Sequence, residues 1–331
     1  MANNRIVAGV TFLACTAFCA LSAGASTTGY PLRTEEGFVW TARSAITRWR
    51  LPAPVYRTVA ATIGNAAFIL GGLDSAGITI ASVDRFSPSS GGARLAGQLA
   101  QPTHGAAAVA IGDRVIVFGG ASTYVYSTIQ SYNPSTEKTV VAALLPSPRA
   151  DLAAATTGLR TALLGGFNGY GPLSSVLVGH GIAGFRTVAQ LPVAVRYPAV
   201  AVVGNDAYLF GGLLSGGEYS GSFTADIQQV NMTTGRARVV GALPYPVAHA
   251  KATVLDGQVL VVGGSTPSGP TADILRFGPA EHSISLVGRL PAALTDGALV
   301  TIGRRAYLFG GLGTSGPRDE IEVIALYSLP R

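Results

Sequence analysis

The chain has 331 residues, of which 48% are hydrophobic, 12% are charged and 43 are glycine. Two ordinary helical domains would carry more Lys and Glu, so the mixture points to one large all-β unit with many tight turns. The net charge of +6 contains no run of Lys or Arg and no basic stripe interleaved with aromatics, which argues against nucleic acid, while the pI near 9.5 leaves an acidic partner open.

In chain order, the first feature is a processing signal. Arg5 is the only charge before an apolar stretch from Ile6 to Leu21, and Ser22-Ala23-Gly24-Ala25 offers a small-residue cleavage site after Ala25. Residues 1–25 therefore read as a secretory signal peptide, followed by a lead-in over 26–44. The stretch is short for a membrane span, which takes about 20 apolar residues. An uncleaved anchor is the other reading, as is lipidation of Cys15, although Phe12-Leu13-Ala14-Cys15 lacks Leu at the usual place. Cys15 and Cys19 are the two cysteines, so the mature chain is expected to have no disulfide, thiolate ligand or cysteine nucleophile. The expected location is secreted, periplasmic or at the cell surface, with no span left after cleavage.

From residue 45 onward the chain repeats itself. Gly-Gly pairs that close apolar runs begin at Gly71, Gly119, Gly165, Gly211, Gly263 and Gly310, at spacings of 48, 46, 46, 52 and 47 residues. Leu51, Leu99, Leu145, Leu191, Leu243 and Leu290 each precede their pair by 20 residues, and proline follows all but Leu99. A turn about seven residues before each pair (Gly64-Asn65, Gly112-Asp113, Gly158-Leu159, Gly204-Asn205, Asp256-Gly257, Gly303-Arg304) mostly carries two-residue hairpin chemistry.

Each unit thus predicts four strands. A small-residue strand such as Ala106–Ile111 or Ala199–Val203 comes first, and the tight turn leads to an apolar strand such as Val115–Phe118. After Gly-Gly and a variable loop comes a third strand such as Thr128–Tyr132 or Asp226–Val230. A polar turn then leads to a fourth, such as Thr139–Leu144 or Arg238–Ala242, which runs into the next Leu. Four strands per repeat of this length is the period of a propeller blade. The last unit has a third strand near Glu320–Ala325 and then almost no chain, whereas Ala45–Leu51 looks like an orphan fourth strand. Pairing the two would close the ring. The alternative is that Leu329-Pro330 ends a fourth strand supplied by the C-terminus. The expected fold is all-β: a six-bladed β-propeller of four-stranded blades over 45–331, closed by pairing N- and C-terminal strands.

The Leu-Pro lead-in, turn glycine, apolar strand and Gly-Gly doublet resemble the kelch repeat over roughly residues 45–326. Phe86, Tyr132 and Phe277 match that family's third-strand aromatic, whereas Val178, Val230 and Ile324 do not, and its fourth-strand tryptophan is absent from every complete unit. Within the family, kelch-type sialic acid mutarotases would imply a rim of Arg with an acidic residue or His in acid–base work. The copper-dependent galactose oxidase type needs a tyrosine–cysteine cofactor, which a mature chain without cysteine cannot form.

In such a blade the Gly-Gly loops and the segments after Leu-Pro share one rim, the latter at the channel mouth. Counting five and six residues on from each Leu collects Arg57, His104, Asp151, Arg196, Tyr197, His249 and Asp296, with Arg149 one residue earlier. Three readings compete for this set. The charges could pair around a wet channel and hold blades together. They could orient a sugar, carboxylate or peptide through hydrogen bonds. His and Asp could act as base or as metal ligands. Tyr124, Tyr126, Asn168, Tyr170 and the long Ser215–Tyr219 loop add polar aromatics to the same rim. The favoured expectation is a monomeric, cofactor-free and metal-free secreted binding protein for an extracellular protein or glycan; the alternative is the sugar-active enzyme.

Overall fold

The alanines in the first strand of each unit let six backbones crowd together, and the apolar second strands fill the space behind them. In the computed structural model, which describes residues 38–330, these segments form six four-stranded antiparallel sheets and no helix among the described residues. The expected signal peptide and both cysteines lie outside the described residues. The hairpins fall where the turn chemistry put them: Ile63 pairs with Ala66 across Gly64-Asn65, and Leu255 pairs with Gln258 across Asp256-Gly257. Gly64 alone takes a positive φ in the first turn (59°), whereas Asp256 and Gly257 both do so in the other (48° and 76°). These are the two hairpin solutions that match strand twist.

Strands run longer than expected where the chain is irregular. The fourth unit's second and third strands extend to Asp206–Ser215 and Ser222–Asn231, so its Gly-Gly loop is a projecting hairpin. Phe38–Arg50 pairs antiparallel with Glu320–Pro330 from Val39 opposite Leu329 to Arg50 opposite Glu320. This places the N-terminal strand outermost in the last sheet, and it begins inside the expected lead-in. The C-terminal residues extend the third strand and do not fold back as a fourth.

The first strands of the six sheets (Val59–Ile63, Ala107–Ile111, Ala153–Thr157, Ala199–Val203, Lys251–Leu255 and Ala298–Ile302) contact one another in sequence order, and the last also contacts the first. The arrangement fits a propeller. Each lead-in leucine sits in the seam between neighbouring sheets and is at most 5% exposed. Two buried third-strand glutamines act as clips: Gln130 binds both backbone groups of Gln101, and Gln228 both those of Val193, at 2.9–3.1 Å.

The first glycine of each doublet is required for a second reason besides its positive φ. A Cβ on Gly119 would run into the Arg149 carbonyl of the next unit, whereas a Cβ on Gly112, at nearly the same φ, would meet nothing within 4 Å. Gly112→Ala should therefore cost about 1 kcal/mol, the conformational term alone, and Gly119→Ala at least ~3 kcal/mol. Urea unfolding of the two variants side by side measures the difference; equal losses would remove close approach as the reason for the doublet.

Candidate functional site

The residues six places after each lead-in leucine are Arg57, Gly105, Asp151, Tyr197, His249 and Asp296. All six adopt a left-handed conformation, with φ between 51° and 59°. Each N–H donates to the carbonyl of its counterpart in the preceding unit: Gly105 to Arg57, Asp151 to Gly105, Tyr197 to Asp151, His249 to Tyr197 and Asp296 to His249, with Arg57 donating to Asp296. These six bonds, 2.5–3.3 Å long, form a complete circuit. One place earlier, Tyr56, His104, Ala150, Arg196 and Ala248 bridge to the strand just past their own Gly-Gly pair, so lead-ins and Gly-Gly loops do share a rim.

The circuit gathers five of the side chains that the sequence singles out, and Arg196 joins them. His249 Nδ1 lies 2.8 Å from Asp296 Oδ1. Arg57 donates to Asp151 Oδ1 at 3.2 Å, and Arg196 reaches the other Asp151 oxygen at 3.9 Å. Tyr197 lies beneath both guanidiniums, each 5.0 Å from its ring centroid, and stacks on His249 at 3.9 Å. Gly105 leaves room where a side chain would collide with the Asp151 carboxylate.

Two further groups complete the cluster, both from the hairpin tip Gly216–Gly221. The Glu218 carboxylate accepts from Arg57 Nη1 at 2.8 and 2.9 Å and from the Tyr197 hydroxyl at 3.2 Å. Its backbone carbonyl lies 2.9 Å from His249 Nε2. The Tyr219 hydroxyl donates to Asp296 Oδ2 at 2.6 Å, and its ring stacks on His249 at 4.9 Å. Both His249 ring nitrogens thus lie within hydrogen-bonding distance of oxygen atoms, which fixes the orientation of the ring. The 52-residue spacing was the sequence signal for this long tip, although nothing in it revealed that the tip folds inward.

The other two expected residues sit apart. Arg149 is turned between sheets, where it donates to the Gly165 and Ser175 carbonyls and to the Ser175 hydroxyl. Burial pulls its guanidinium down to about 10. His104 bonds Thr79 Oγ1 at 2.9 Å, and burial, helped by Arg57, lowers it to about 4. Among the described residues no three His, Cys, Asp or Glu side chains gather so as to hold a metal ion.

Burial pushes Asp151 up to about 6 against the pull of Arg57 and Arg196. Burial pushes Asp296 the same way, but the charge and hydrogen bond of His249, with Arg57 and Tyr219, hold it at about 2. One buried carboxyl near neutrality beside one firmly ionised is a division of labour that suits acid–base chemistry.

No family model and no curated protein sequence matches the chain. Among solved structures it is similar to YjhT, with a TM-score of 0.71 and 15% identity over 85% of this chain and 99% of that one. At that identity the likeness carries the fold, and it fits a kelch-like propeller.

The two carboxyls should leave opposite marks on stability. Asp296 is lowered on folding, so its contribution is present above pH ~4 and lost as the pH falls toward 2; Asp151 is raised, so its contribution is lost as the pH rises from ~4 to ~6. Urea unfolding at stepped pH should show Asp296→Asn losing the acid limb, on the order of 2 kcal/mol, and Asp151→Asn losing the slope between pH 4 and 6. Wild-type slopes retained in both variants would overturn these assignments.

Proposed function

We propose that the chain is an exported six-bladed kelch-type propeller, closed by the pairing of Phe38–Arg50 with Glu320–Pro330, whose mouth performs acid–base chemistry on a carboxylate-bearing sugar. The six four-stranded sheets and the cyclic contacts of their first strands support the architecture. The residues of 1–25 support export. The observation that carries the activity is the His249–Asp296 pair, 2.8 Å apart beside the buried Arg57 and Arg196. The resemblance of the repeats to the kelch family, within which sialic acid mutarotases use a rim of Arg with an acidic residue or His, supports the same reading.

A cyclic sugar changes anomer by opening its ring. A base takes the proton of the anomeric hydroxyl, an acid protonates the ring oxygen, the bond between ring oxygen and anomeric carbon breaks, and the carbonyl formed turns before the steps reverse. His249 supplies an imidazole oriented by Asp296. Arg57 and Arg196 supply a seat for a carboxylate, which Glu218 takes from within the chain. The Tyr197 ring offers a face to a sugar. With Glu218 on both Arg57 and His249, the closed tip ties up the groups the reaction needs. The tip must therefore swing out before a sugar enters, and Gly216, Gly217 and Gly221 give it the backbone freedom to do so.

A second reading, non-enzymatic capture of an extracellular glycan or protein, is favoured by Tyr170 and Tyr124. They are 96% and 66% exposed on neighbouring Gly-Gly loops.

Anomer equilibration of a sialic acid, followed by proton NMR on purified mature protein, tests the activity. Wild type should accelerate it, and His249→Ala should lower the rate roughly 10²- to 10⁴-fold. Glu218→Gln should lower the sugar concentration needed for half-maximal rate, because it weakens the internal occupant. No acceleration by folded wild type would sink the enzymatic reading, and glycan or protein binding abolished by Tyr170→Ala would then establish the second.

A further inference from the structure

Only Lys138 and Lys251 among the chain's 23 basic residues are lysines; the others are arginine. Lys138 is exposed at the start of Lys138–Leu144. Lys251 opens its unit's first strand, the position held in the other five units by Val59, Ala107, Ala153, Ala199 and Ala298. It is therefore the one amine in a place that the repeat otherwise fills with small apolar side chains.

That place lines a cavity of about 200 Å³ bounded by all six first strands. Ala60, Ala108, Ala154, Val200, Ala252 and Leu299 line both this cavity and a second of about 400 Å³, so the two are continuous along the axis. Lys251 is partly buried, and among the described residues no hydrogen bond or ion pair engages its side-chain nitrogen. Burial pulls its pKa below the ordinary lysine range, with Arg57 adding to the effect and Asp296 and Asp151 opposing it.

We propose that Lys251 is a nucleophilic amine that condenses with small aldehydes admitted along this axial cavity. A partly buried lysine on the wall of an apolar-lined cavity has the attributes of an imine-forming residue, and a compact amine on a flexible stem suits the role as arginine does not. In the first step the Nζ lone pair attacks the carbonyl carbon, and the C=O electron pair moves to oxygen. That oxygen takes a proton from nitrogen, which gives the carbinolamine. The hydroxyl then leaves as water, carrying away the second nitrogen proton, while the nitrogen lone pair forms the C=N bond. One aldehyde and one amine thus give one imine and one water, with no oxidant or reductant. Addition of water reverses the sequence. The cavity of about 200 Å³ at the lysine favours short aldehydes over bulky ones. The site lies below the mouth cluster and does not depend on the reading of the mouth as a mutarotase.

The scarcity of lysine makes the test clean. Full-length mature protein is treated with glycolaldehyde and sodium cyanoborohydride at pH 7, and the adducts on Lys251 and Lys138 are followed over time by peptide mass spectrometry. Lys251 should be modified several-fold faster than Lys138. With the bulky aldehyde pyridoxal phosphate the order should reverse, leaving Lys251 unmodified. Lys251→Arg should lose the fast adduct while Lys138 reacts at its former rate. Modification of Lys251 no faster than Lys138 by glycolaldehyde would overturn the proposal, as would labelling of Lys251 by the bulky aldehyde at the rate of the small one.

Discussion

Six main-chain hydrogen bonds that run from unit to unit and return to their start impose one conformation on six different residues. The left-handed backbone costs a non-glycine residue roughly 1–2 kcal/mol, and five of the six bear that cost. The circuit offsets it, since each bond satisfies an N–H and a carbonyl that crowding would otherwise strand away from water. The same turn aims side chains from different sheets at one spot. Chemistry at the mouth is thereby linked to the symmetry of the fold: a side chain at this register of any unit is delivered to the cluster, and a glycine there, as at Gly105, makes space for its neighbour.

The circuit also explains which parts of the site were legible in the sequence. Because every unit counts the same distance from its leucine to the circuit, Arg57, Asp151, Tyr197, His249 and Asp296 could be collected by counting. The repeating leucines, hairpin turns and Gly-Gly pairs set the strand order within each sheet for the same reason, since local chemistry decides them. Glu218 and Tyr219 were not legible as cluster members, because they arrive from an insertion whose direction depends on tertiary contacts. Arg149 shares the lead-in with Asp151, yet its long side chain turns back between sheets to reach Gly165 and Ser175, a choice of rotamer that spacing does not encode. A single lysine at the head of a strand, such as Lys251, has no local signature in the sequence; its distinction lies in what surrounds it.

Buried charge is handled in two ways within one chain. In the mouth, each arginine faces a carboxylate and each carboxylate an arginine, a histidine or a hydroxyl donor, although Nε of Arg57 and of Arg196 has no hydrogen-bond partner. Elsewhere the compensation is thinner. Asp84 is pushed up to about 6 by burial, and Glu322 up to about 7, with Arg318 only 3.9 Å away. Burial dominates at both carboxyls, as it does at Asp151 in the mouth. What sets the mouth apart is that several buried charges converge there from different sheets, whereas Asp84 and Glu322 stand singly.

The hydrogen bond from Thr47 to the carbonyl of Ile321 joins residues 274 positions apart. The outermost strand of that sheet is therefore synthesised early and finds its partner only after nearly every other strand exists. During synthesis the early strand carries an unpaired edge, the kind of surface that recruits stray strands. Completion of the molecule becomes an all-or-nothing event: a product cut short before residue 320 leaves two strands seeking partners, one at each side of the gap. Phe38 and Pro330 pair with each other, so the first and last described residues lie side by side on the two outermost strands of that sheet.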